Sequence, residues 1–160
     1  KCVLNLGKIL EEFSNIGGIV VGTNDLAKEL VLPKQTGRAG LLNALGSIIL
    51  TAKAYNVITL DGVFNGISDE EGLRSEAEEG KNMGYDGKTL IHPNQIGITN
   101  AVFSPTEKEI DLANKIIEAY EKAKEEKSGV TTVDGVLVEE LHVKQSLALI
   151  SKMKMIQSMS

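Results

Sequence analysis

The chain has 160 residues, of which 42% are hydrophobic and 24% charged, a balance typical of a globular protein with one sizeable core. Its net charge of −5 and its scattered lysines argue against a nucleic-acid-binding role. No apolar run reaches the ~18 residues of a membrane span, and the first residues lack the apolar stretch of a signal peptide. The single cysteine, Cys2, excludes an internal disulfide and is expected to be a packing residue rather than a nucleophile. We therefore expect a protein of the cytoplasm or an organelle matrix.

The first predicted elements are a helix and a strand. Apolar residues at helical spacing predict an amphipathic helix over residues 3–13, with Phe13 on its inward face. The apolar run over residues 16–21 is short and bounded by glycines, which predicts a strand buried on both faces, as in a parallel sheet. Thr23 or Asn24 is then expected to cap a short helix.

A loop, a long helix and a second strand follow. Pro33 and Gly37 mark the loop. An apolar face at helical spacing predicts a helix over residues 39–55. Residues 56–64 predict a second buried strand that contains Asp61 near its carboxyl end.

The next element is an acidic helix. Ser68 is its expected N-cap, because Glu71 stands three residues further on in the reciprocal capping pattern, and Gly84 is its expected C-cap. The acidic run on this helix has no histidine or cysteine at metal-ligand spacing, and we expect it to form a solvated face. Its members are Glu76, Glu78 and Glu79.

A third strand and two helices come next. Residues 87–93 predict the strand, and residues 94–103 predict a short helix after it. Ser104 offers an N-cap for the following helix, with Glu107 reaching back to it, and that helix is expected to run to about Lys127.

The chain closes on a hairpin and a helix. Asp134-Gly135 between β-rich flanks is a strong hairpin signal, and an amphipathic helix is expected from Leu141 to about Ile156.

The alternation of strands and helices implies a parallel sheet covered by helices. Three parallel strands make a thin sheet with two open edges, and the first helix has no strand before it. An eight-stranded α/β barrel needs ~250 residues, so we expect this chain to be the back part of such a barrel.

Polar residues at the carboxyl ends of strands are the candidates for chemistry, because working residues of α/β proteins lie there. Asp25 stands at the start of a helix, whose amides would face a bound anion, and this suggests a metal-bridged anion site. From the pattern alone, however, a plain helix cap is the favoured interpretation of Asp25. Asp61 is as suited to bracing the mouth of the barrel as to chemistry. A histidine before a proline, such as His92 before Pro93, is more often a structural residue than a catalytic base. The glycines match no nucleotide-binding motif.

Four stretches of the sequence carry a family resemblance. They are GTNDLAKEL (residues 22–30), ITLDGVFNGISDEEGL (58–73), GYDGKTLIHPNQI (84–96) and FSPTEKEI (103–110). With these the chain resembles, over nearly its whole length, the citrate lyase β-subunit and malyl-CoA lyase family.

The resemblance implies a Mg²⁺-dependent carbon–carbon lyase on a TIM barrel. Such an enzyme cleaves or forms β-hydroxyacyl-CoA thioesters of the citryl-CoA or malyl-CoA type. Its products are acetyl-CoA and an α-keto acid such as oxaloacetate or glyoxylate. Residues 1–128 would then form the partial barrel and residues 129–160 a hairpin-plus-helix lid. Because the family's lid serves a neighbouring subunit, a homo-oligomer of at least three copies is implied.

The resemblance also assigns roles to individual residues. The family's metal aspartate falls on Asp25, and the backbone amides around Thr23 and Asn24 would hold the carboxylate of the α-keto acid. The acid–base residue falls on Glu139, where the family commonly has aspartate. The family's second metal carboxylate and its substrate-binding arginine lie upstream of residue 1, so this polypeptide alone is expected to be inactive. Supporting positions near the site are Arg38, Asp61 and His92.

Two other functions remain open at this point. The glutamate at position 139 leaves room for a non-catalytic relative that binds CoA esters or a partner protein. A barrel aldolase that acts on pyruvate enolates without CoA is the third hypothesis, and the lid-like C-terminal segment argues against it.

Overall fold

The computed structural model describes residues 1–33, 37–126, 128 and 130–159. By their internal contacts the residues of the chain divide into two units, Lys1–Phe103 and Ser104–Ser160.

The first unit alternates helices with parallel strands. Its elements in chain order are α1 (Cys2–Glu12), β1 (Gly18–Val20), α2 (Thr23–Glu29), α3 (Leu42–Ala54, after a 3-10 turn over Ala39–Leu41), β2 (Ile58–Asp61), α4 (Glu70–Met83), β3 (Gly87–Lys88) and α5 (Gln95–Phe103). The predicted alternation of strands and helices is confirmed in this unit.

The three strands form a parallel sheet in the order β1-β2-β3. Val20 lies opposite Leu60, and Asp61 lies opposite Lys88, so the carboxyl ends of the strands meet at one edge. The third strand is shorter than predicted. The amide of Ile91 donates to the side chain of Gln95 at 3.1 Å, so the chain leaves the ladder before that residue.

Helices cover one face of the sheet. The apolar positions of α3 recur at helical spacing, and Leu45 is completely buried, which contributes about 1.5–3 kcal/mol. Thr59 and Asp61 are buried on the same face. The main apolar cluster consists of Leu6, Leu10, Val21, Leu41, Leu45, Ile48, Ile49, Ala52, Val57, Ala77, Tyr85, Val102 and Phe103.

The other face of the sheet is open. Val20 is 60% exposed and Ile58 is 55% exposed. The prediction that the first strand is buried on both faces is therefore wrong for this chain. Successive strand residues point to opposite faces, and the described helices pack against only one of them.

The ends of α1 and α2 differ from the sequence expectation. Phe13 is the C-cap of α1 and is 55% exposed, not inward-facing. Gly22 is the N-cap of α2, so Thr23 and Asn24 lie inside the helix and neither caps it. Cys2 is an exposed free thiol in the first turn of α1, not a packing residue.

The acidic helix α4 begins one residue later than predicted. Its N-cap is Asp69, not Ser68, because the carboxylate of Asp69 accepts a hydrogen bond from the amide of Gly72 at 2.9 Å. The C-cap is Gly84, as predicted, and its φ of 107° lies in the left-handed region that favours glycine.

The second unit contains α6 (Glu107–Glu125), β4 (Thr131–Val133), β5 (Val136–Val138) and α7 (Glu140–Ser158). The capping box of α6 joins Thr106 to Glu109, so the expected pair of Ser104 and Glu107 is wrong. Thr106 has the extended backbone of an N-cap, and the helix therefore starts after it. The expected end of α6 at Lys127 lies outside the described residues.

The predicted hairpin at Asp134-Gly135 is confirmed. These two residues have φ values of 50° and 80° and connect the antiparallel strands β4 and β5. Two consecutive positive φ values are what a tight two-residue hairpin turn requires. The assignment of residues 129–160 as a lid stays a prediction. None of the helices in the described parts of the chain is both long and apolar enough to cross a membrane.

Candidate active site at the carboxyl ends of the strands

Asp25 lies in the first turn of α2, directly after β1. Its side chain is exposed and makes no hydrogen bond or ion pair with the described residues. The amide of Thr23 donates to the carbonyl of Val21 at 3.1 Å, whereas the amide of Asn24 has no acceptor in the described chain. Of the two amides predicted to hold an anion, only that of Asn24 is available.

Asn24 joins α2 to the loop that follows β2. Its side-chain amide donates to the oxygen of Asn65 at 3.1 Å, and the amide of Asn65 donates back at 2.9 Å. Gly62 lies against the side chain of Thr23, where a Cβ atom would collide with it. The first turn of α2 is thus held against the end of β2 by two separate contacts.

A buried cluster of charged side chains lies at the carboxyl ends of β2 and β3. The carboxylate of Asp61 is completely buried and accepts from Arg38 Nη1 at 2.8 Å, Arg38 Nη2 at 3.1 Å and Lys88 Nζ at 3.0 Å. Its Oδ1 also accepts from the amide of Gly62 at 2.8 Å. A carboxylate with four donors has no lone pair left for a ligand, so the bracing interpretation of Asp61 describes its geometry.

Two glutamates of α4 complete this cluster. Glu76 accepts from Lys88 Nζ at 2.6 Å, and Glu79 lies 3.1 Å from Arg38 Nε. The predicted solvated face is therefore wrong for Glu76, whose side chain is 20% exposed, whereas Glu79 keeps 42% of its side chain exposed and Glu78 is exposed as expected. The two cations are the physical reason, because they recruit the carboxylates that face the sheet.

Burial and the charges of this cluster shift the pKa values of Arg38 and Tyr85. Burial alone lowers the pKa of Arg38, but the hydrogen bonds and charge of Asp61 outweigh burial and raise this pKa above its ordinary value. Burial, with the charge of Asp61, raises the pKa of the Tyr85 hydroxyl well above its usual range. Arg38 is therefore charged, and Tyr85 neutral, throughout the physiological pH range.

The other two predicted site residues, His92 and Glu139, lie at local turn and helix-start contacts within their own units. His92 is half-buried, and its Nδ1 accepts from the amide of Asn94 at 3.2 Å, which is a local turn contact. Glu139 belongs to the second unit and immediately precedes α7; its carboxylate is exposed. The amide of Glu139 donates to His142 Nδ1 at 3.0 Å.

A cleft of about 780 Å³ opens beside the Asn24–Asn65 pair. Its walls include the charged residues Lys28, Arg38 and Glu76 and the apolar residue Phe64. This volume falls within the range of small-molecule sites.

The described residues supply an incomplete metal site. In these ranges no group of three or more histidine, cysteine, aspartate or glutamate side chains could hold a metal ion. At the described strand ends Asp25 offers one free carboxylate, whereas Mg²⁺ usually takes one or two carboxylates together with water and substrate oxygens. Asp25 therefore fits one ligand position of a magnesium centre, and no more.

Sequence reasoning did not single out Lys88, Asn65 or Gln95. A usable signal existed for Lys88, since a lysine inside a predicted buried strand must find anionic partners. Asn65 lies in a loop, and no spacing rule links it to Asn24.

The fold and this rim define the class of the protein. It is an α/β protein with a parallel sheet whose polar loops meet at the carboxyl ends of the strands, the usual place for ligands in this class. The model of the HpcH/HpaI aldolase/citrate lyase family matches residues 1–93, and the chain belongs to that family.

Similar proteins agree with this assignment. A (3S)-malyl-CoA thioesterase of Cereibacter sphaeroides is 51% identical over 136 residues, which are 83% of this chain and 48% of that protein. The citrate lyase subunit beta of Leuconostoc mesenteroides subsp. cremoris is 35% identical over 137 residues, 86% of this chain and 45% of that protein. The chain thus spans about half the length of the curated relatives it matches.

A solved structure adds a ligand context. The citrate lyase beta subunit of Mycobacterium tuberculosis, complexed with oxaloacetate and magnesium, has a TM-score of 0.58 and 28% identity, covering 65% of this chain and 48% of its own. The family predicted from the sequence is confirmed, and solved neighbours of the family contain magnesium, as predicted. The 51% identical relative is named a thioesterase, however, whereas a lyase was predicted.

Proposed function

We propose that the full-length protein is a Mg²⁺-dependent lyase acting on a β-hydroxyacyl-CoA thioester of the malyl-CoA or citryl-CoA type. Its products are acetyl-CoA and an α-keto acid such as glyoxylate or oxaloacetate. The observation that carries this proposal is the exposed carboxylate of Asp25 at the carboxyl end of β1, which has no partner among the described residues, in a chain whose relatives include proteins named for malyl-CoA and citrate.

The three-stranded sheet is proposed to be part of an eight-stranded TIM barrel. The open face of the sheet, with Val20 and Ile58 exposed, is the face that a closed barrel would bury inside. The relatives are about twice as long as the matched segment, which leaves room for the other strands.

The residues of this chain would divide the work as follows. Asp25 would hold one side of the magnesium ion, and the free amide of Asn24 would hold the substrate carboxylate. When bound, Mg²⁺ supplies Lewis-acid polarisation of the substrate oxygen. Cleavage removes a proton from the hydroxyl, breaks the carbon–carbon bond and returns a proton to the enolate carbon. The exposed carboxylate of Glu139 is the proposed carrier of that proton.

Glu139 can serve this role only if residues 129–160 close over a barrel mouth as a lid. We propose that they close over the mouth of a neighbouring copy, so that the enzyme works as a homo-oligomer. The extra methylene of glutamate, compared with aspartate, lengthens the reach of the carboxylate. The Glu139→Asp variant shortens the side chain by one methylene and tests whether turnover depends on that reach.

A thioesterase is the second candidate, favoured by the name of the 51% identical relative. The two reactions leave different products from malyl-CoA. A lyase gives acetyl-CoA and glyoxylate without a free thiol, while a thioesterase gives malate and free CoA.

The test is to incubate the full-length protein and Mg²⁺ with malyl-CoA and citryl-CoA. Mass spectrometry identifies the acyl-CoA products, and a thiol reagent measures released CoA. Acetyl-CoA with no thiol supports the lyase. Free CoA as the first product supports the thioesterase. Tight binding of either thioester without turnover would identify the protein as a non-catalytic CoA-ester-binding relative.

A further inference from the structure

We propose that Lys88 is a positioning residue for Asp25 and acts on it through the loop of residues 62–66. This inference rests on the proposed role of Asp25 as a magnesium ligand. Lys88 lies in β3 and makes no contact with Asp25. The connection consists of three sets of contacts that meet in this loop.

The first step is the buried ammonium of Lys88. Its side chain is 0% exposed, and Nζ donates to Asp61 Oδ2 at 3.0 Å, Glu76 Oε1 at 2.6 Å and the carbonyl of Gly62 at 2.7 Å. An ammonium group has three donors, and all three are used. The bond to Gly62 therefore ties the first residue of the loop to a fixed internal charge.

The second step fixes the middle of the loop. Gln95 is 1% exposed, and its Nε2 donates to the carbonyl of Phe64 at 3.0 Å. Its Oε1 accepts from the amide of Ile91. Two buried side chains, one from β3 and one from α5, thus hold two carbonyls of the same five-residue loop.

The third step carries this rigidity to the candidate metal ligand. Asn65 exchanges two hydrogen bonds with Asn24, the residue before Asp25, and Gly62 lies against Thr23. The N-cap of α2 is Gly22, which has no side chain to fix the first turn. The direction in which Asp25 points therefore depends on these tertiary contacts.

A purely structural role for Lys88 makes a different prediction. It would lower overall stability and leave the first turn of α2 unchanged in the folded protein. A positioning role loosens residues 62–66 and 23–26 specifically and weakens metal binding. Partners that orient metal ligands typically contribute 10- to 100-fold to metal affinity, so an effect of about that size is expected.

The experiment compares the full-length wild type with Lys88→Met by hydrogen–deuterium exchange and by titration with Mn²⁺, followed by electron paramagnetic resonance. We expect faster exchange in both segments and a Mn²⁺ dissociation constant raised roughly 10-fold or more. The matched control is Lys53→Met, which breaks the ion pair between Lys53 and Asp86 at 2.6 Å without a contact to the loop. This control should leave exchange in both segments and Mn²⁺ affinity at wild-type values.

Asn65→Ala is a second test variant that keeps the proposal testable if Lys88→Met does not fold. It removes an exposed side chain and keeps the buried cluster intact. It should speed exchange at residues 23–26 and weaken Mn²⁺ binding, with little change at Gly62. If wild type binds Mn²⁺ and both variants match it in affinity and in exchange at residues 23–26, the positioning role is overturned. If wild type itself binds no Mn²⁺ and turns over no thioester, the proposed function fails, while the exchange data still decide whether Lys88 holds the turn.

Discussion

Two aspartates at the carboxyl ends of neighbouring strands have opposite surroundings. Asp61, at the end of β2, is completely buried and accepts from Arg38, Lys88 and the amide of Gly62. Asp25, just after β1, is exposed and has no partner among the described residues. The same residue type at the same edge of the sheet is thus a structural anchor in one place and a free, exposed carboxylate in the other.

The difference in burial has a physical consequence for what each carboxylate can bind. A buried carboxylate must be neutralised by cations and fully hydrogen-bonded, which leaves it unable to bind anything else. An exposed carboxylate costs little to maintain and keeps its oxygens free for a hard cation. The anchored aspartate holds the scaffold on which the available one is carried.

Removing the anchor should have the largest effect on stability. Asp61→Ala removes an acceptor of both Arg38 Nη atoms and one of the three acceptors of Lys88 Nζ, and breaking a buried ion pair costs about 3–5 kcal/mol. Urea unfolding of the full-length protein should show a loss of this size. The matched change at the other aspartate, Asp25→Ala, should alter the unfolding free energy by no more than ~0.5 kcal/mol, as for most surface sites. Equal losses of unfolding free energy in Asp61→Ala and Asp25→Ala would contradict the assignment of Asp61 as the structural anchor.

Adding a methyl group next to Asp61 should have a smaller effect on stability. A Cβ at Gly80 would lie 2.8 Å from Asp61 Oδ2, so Gly80→Ala must displace that carboxylate or α4. Overpacking of this kind costs roughly 1–3 kcal/mol. Gly46→Ala is the control, because its Cβ meets nothing within 4 Å and alanine stabilises a helix interior by about 0.5–1 kcal/mol. Thermal melts should move in opposite directions for the two variants, and a stabilising Gly80→Ala would sink the packing argument.

The smallest effect is expected from a third, half-exposed aspartate. Burial raises the pKa of Asp86, but hydrogen bonds from Lys53 and Thr59 outweigh burial and hold the pKa below its ordinary value. A depressed pKa contributes stability that is present above the unfolded value, about pH 4, and is lost as pH falls through the folded value.

The corresponding experiment follows Asp86→Asn from pH 7 down to acid. At pH 7 this variant should be less stable than wild type by under ~1 kcal/mol, because the ion pair with Lys53 is screened by water. The difference should shrink as the pH falls below about 4. A difference that is constant over this range would show that the carboxylate charge is not responsible.

The sequence predicted the elements that local rules govern. The spacing of apolar residues and the positions of glycine predicted the three parallel strands, the C-cap at Gly84 and the hairpin at Asp134-Gly135. Each of these features depends on neighbouring residues in the sequence. Helix starts were missed by one or two residues. Adjacent polar residues compete for the N-cap, and the approach of the chain decides whether Ser68 or Asp69 prevails.

The buried cluster could not be predicted in the same way. Its members come from residues 38, 61, 76, 79 and 88, which only the sheet register and the packing of α4 bring together. The sequence alone does not reveal that Glu76 lies against Lys88 and Glu79 against Arg38. The open face of the sheet was also missed, since an apolar run does not reveal which of its faces will be covered.

The measurement that tests the central claim most directly is Mn²⁺ titration and Mg²⁺-dependent turnover of the full-length Asp25→Asn variant. This change keeps the size and polarity of the side chain and removes only its charge. We predict Mn²⁺ affinity reduced by roughly 10-fold or more, turnover lost to a similar or greater extent, and an unfolding curve that overlays that of the wild type. Wild-type metal affinity and turnover in Asp25→Asn would contradict the assignment of Asp25 as the magnesium ligand.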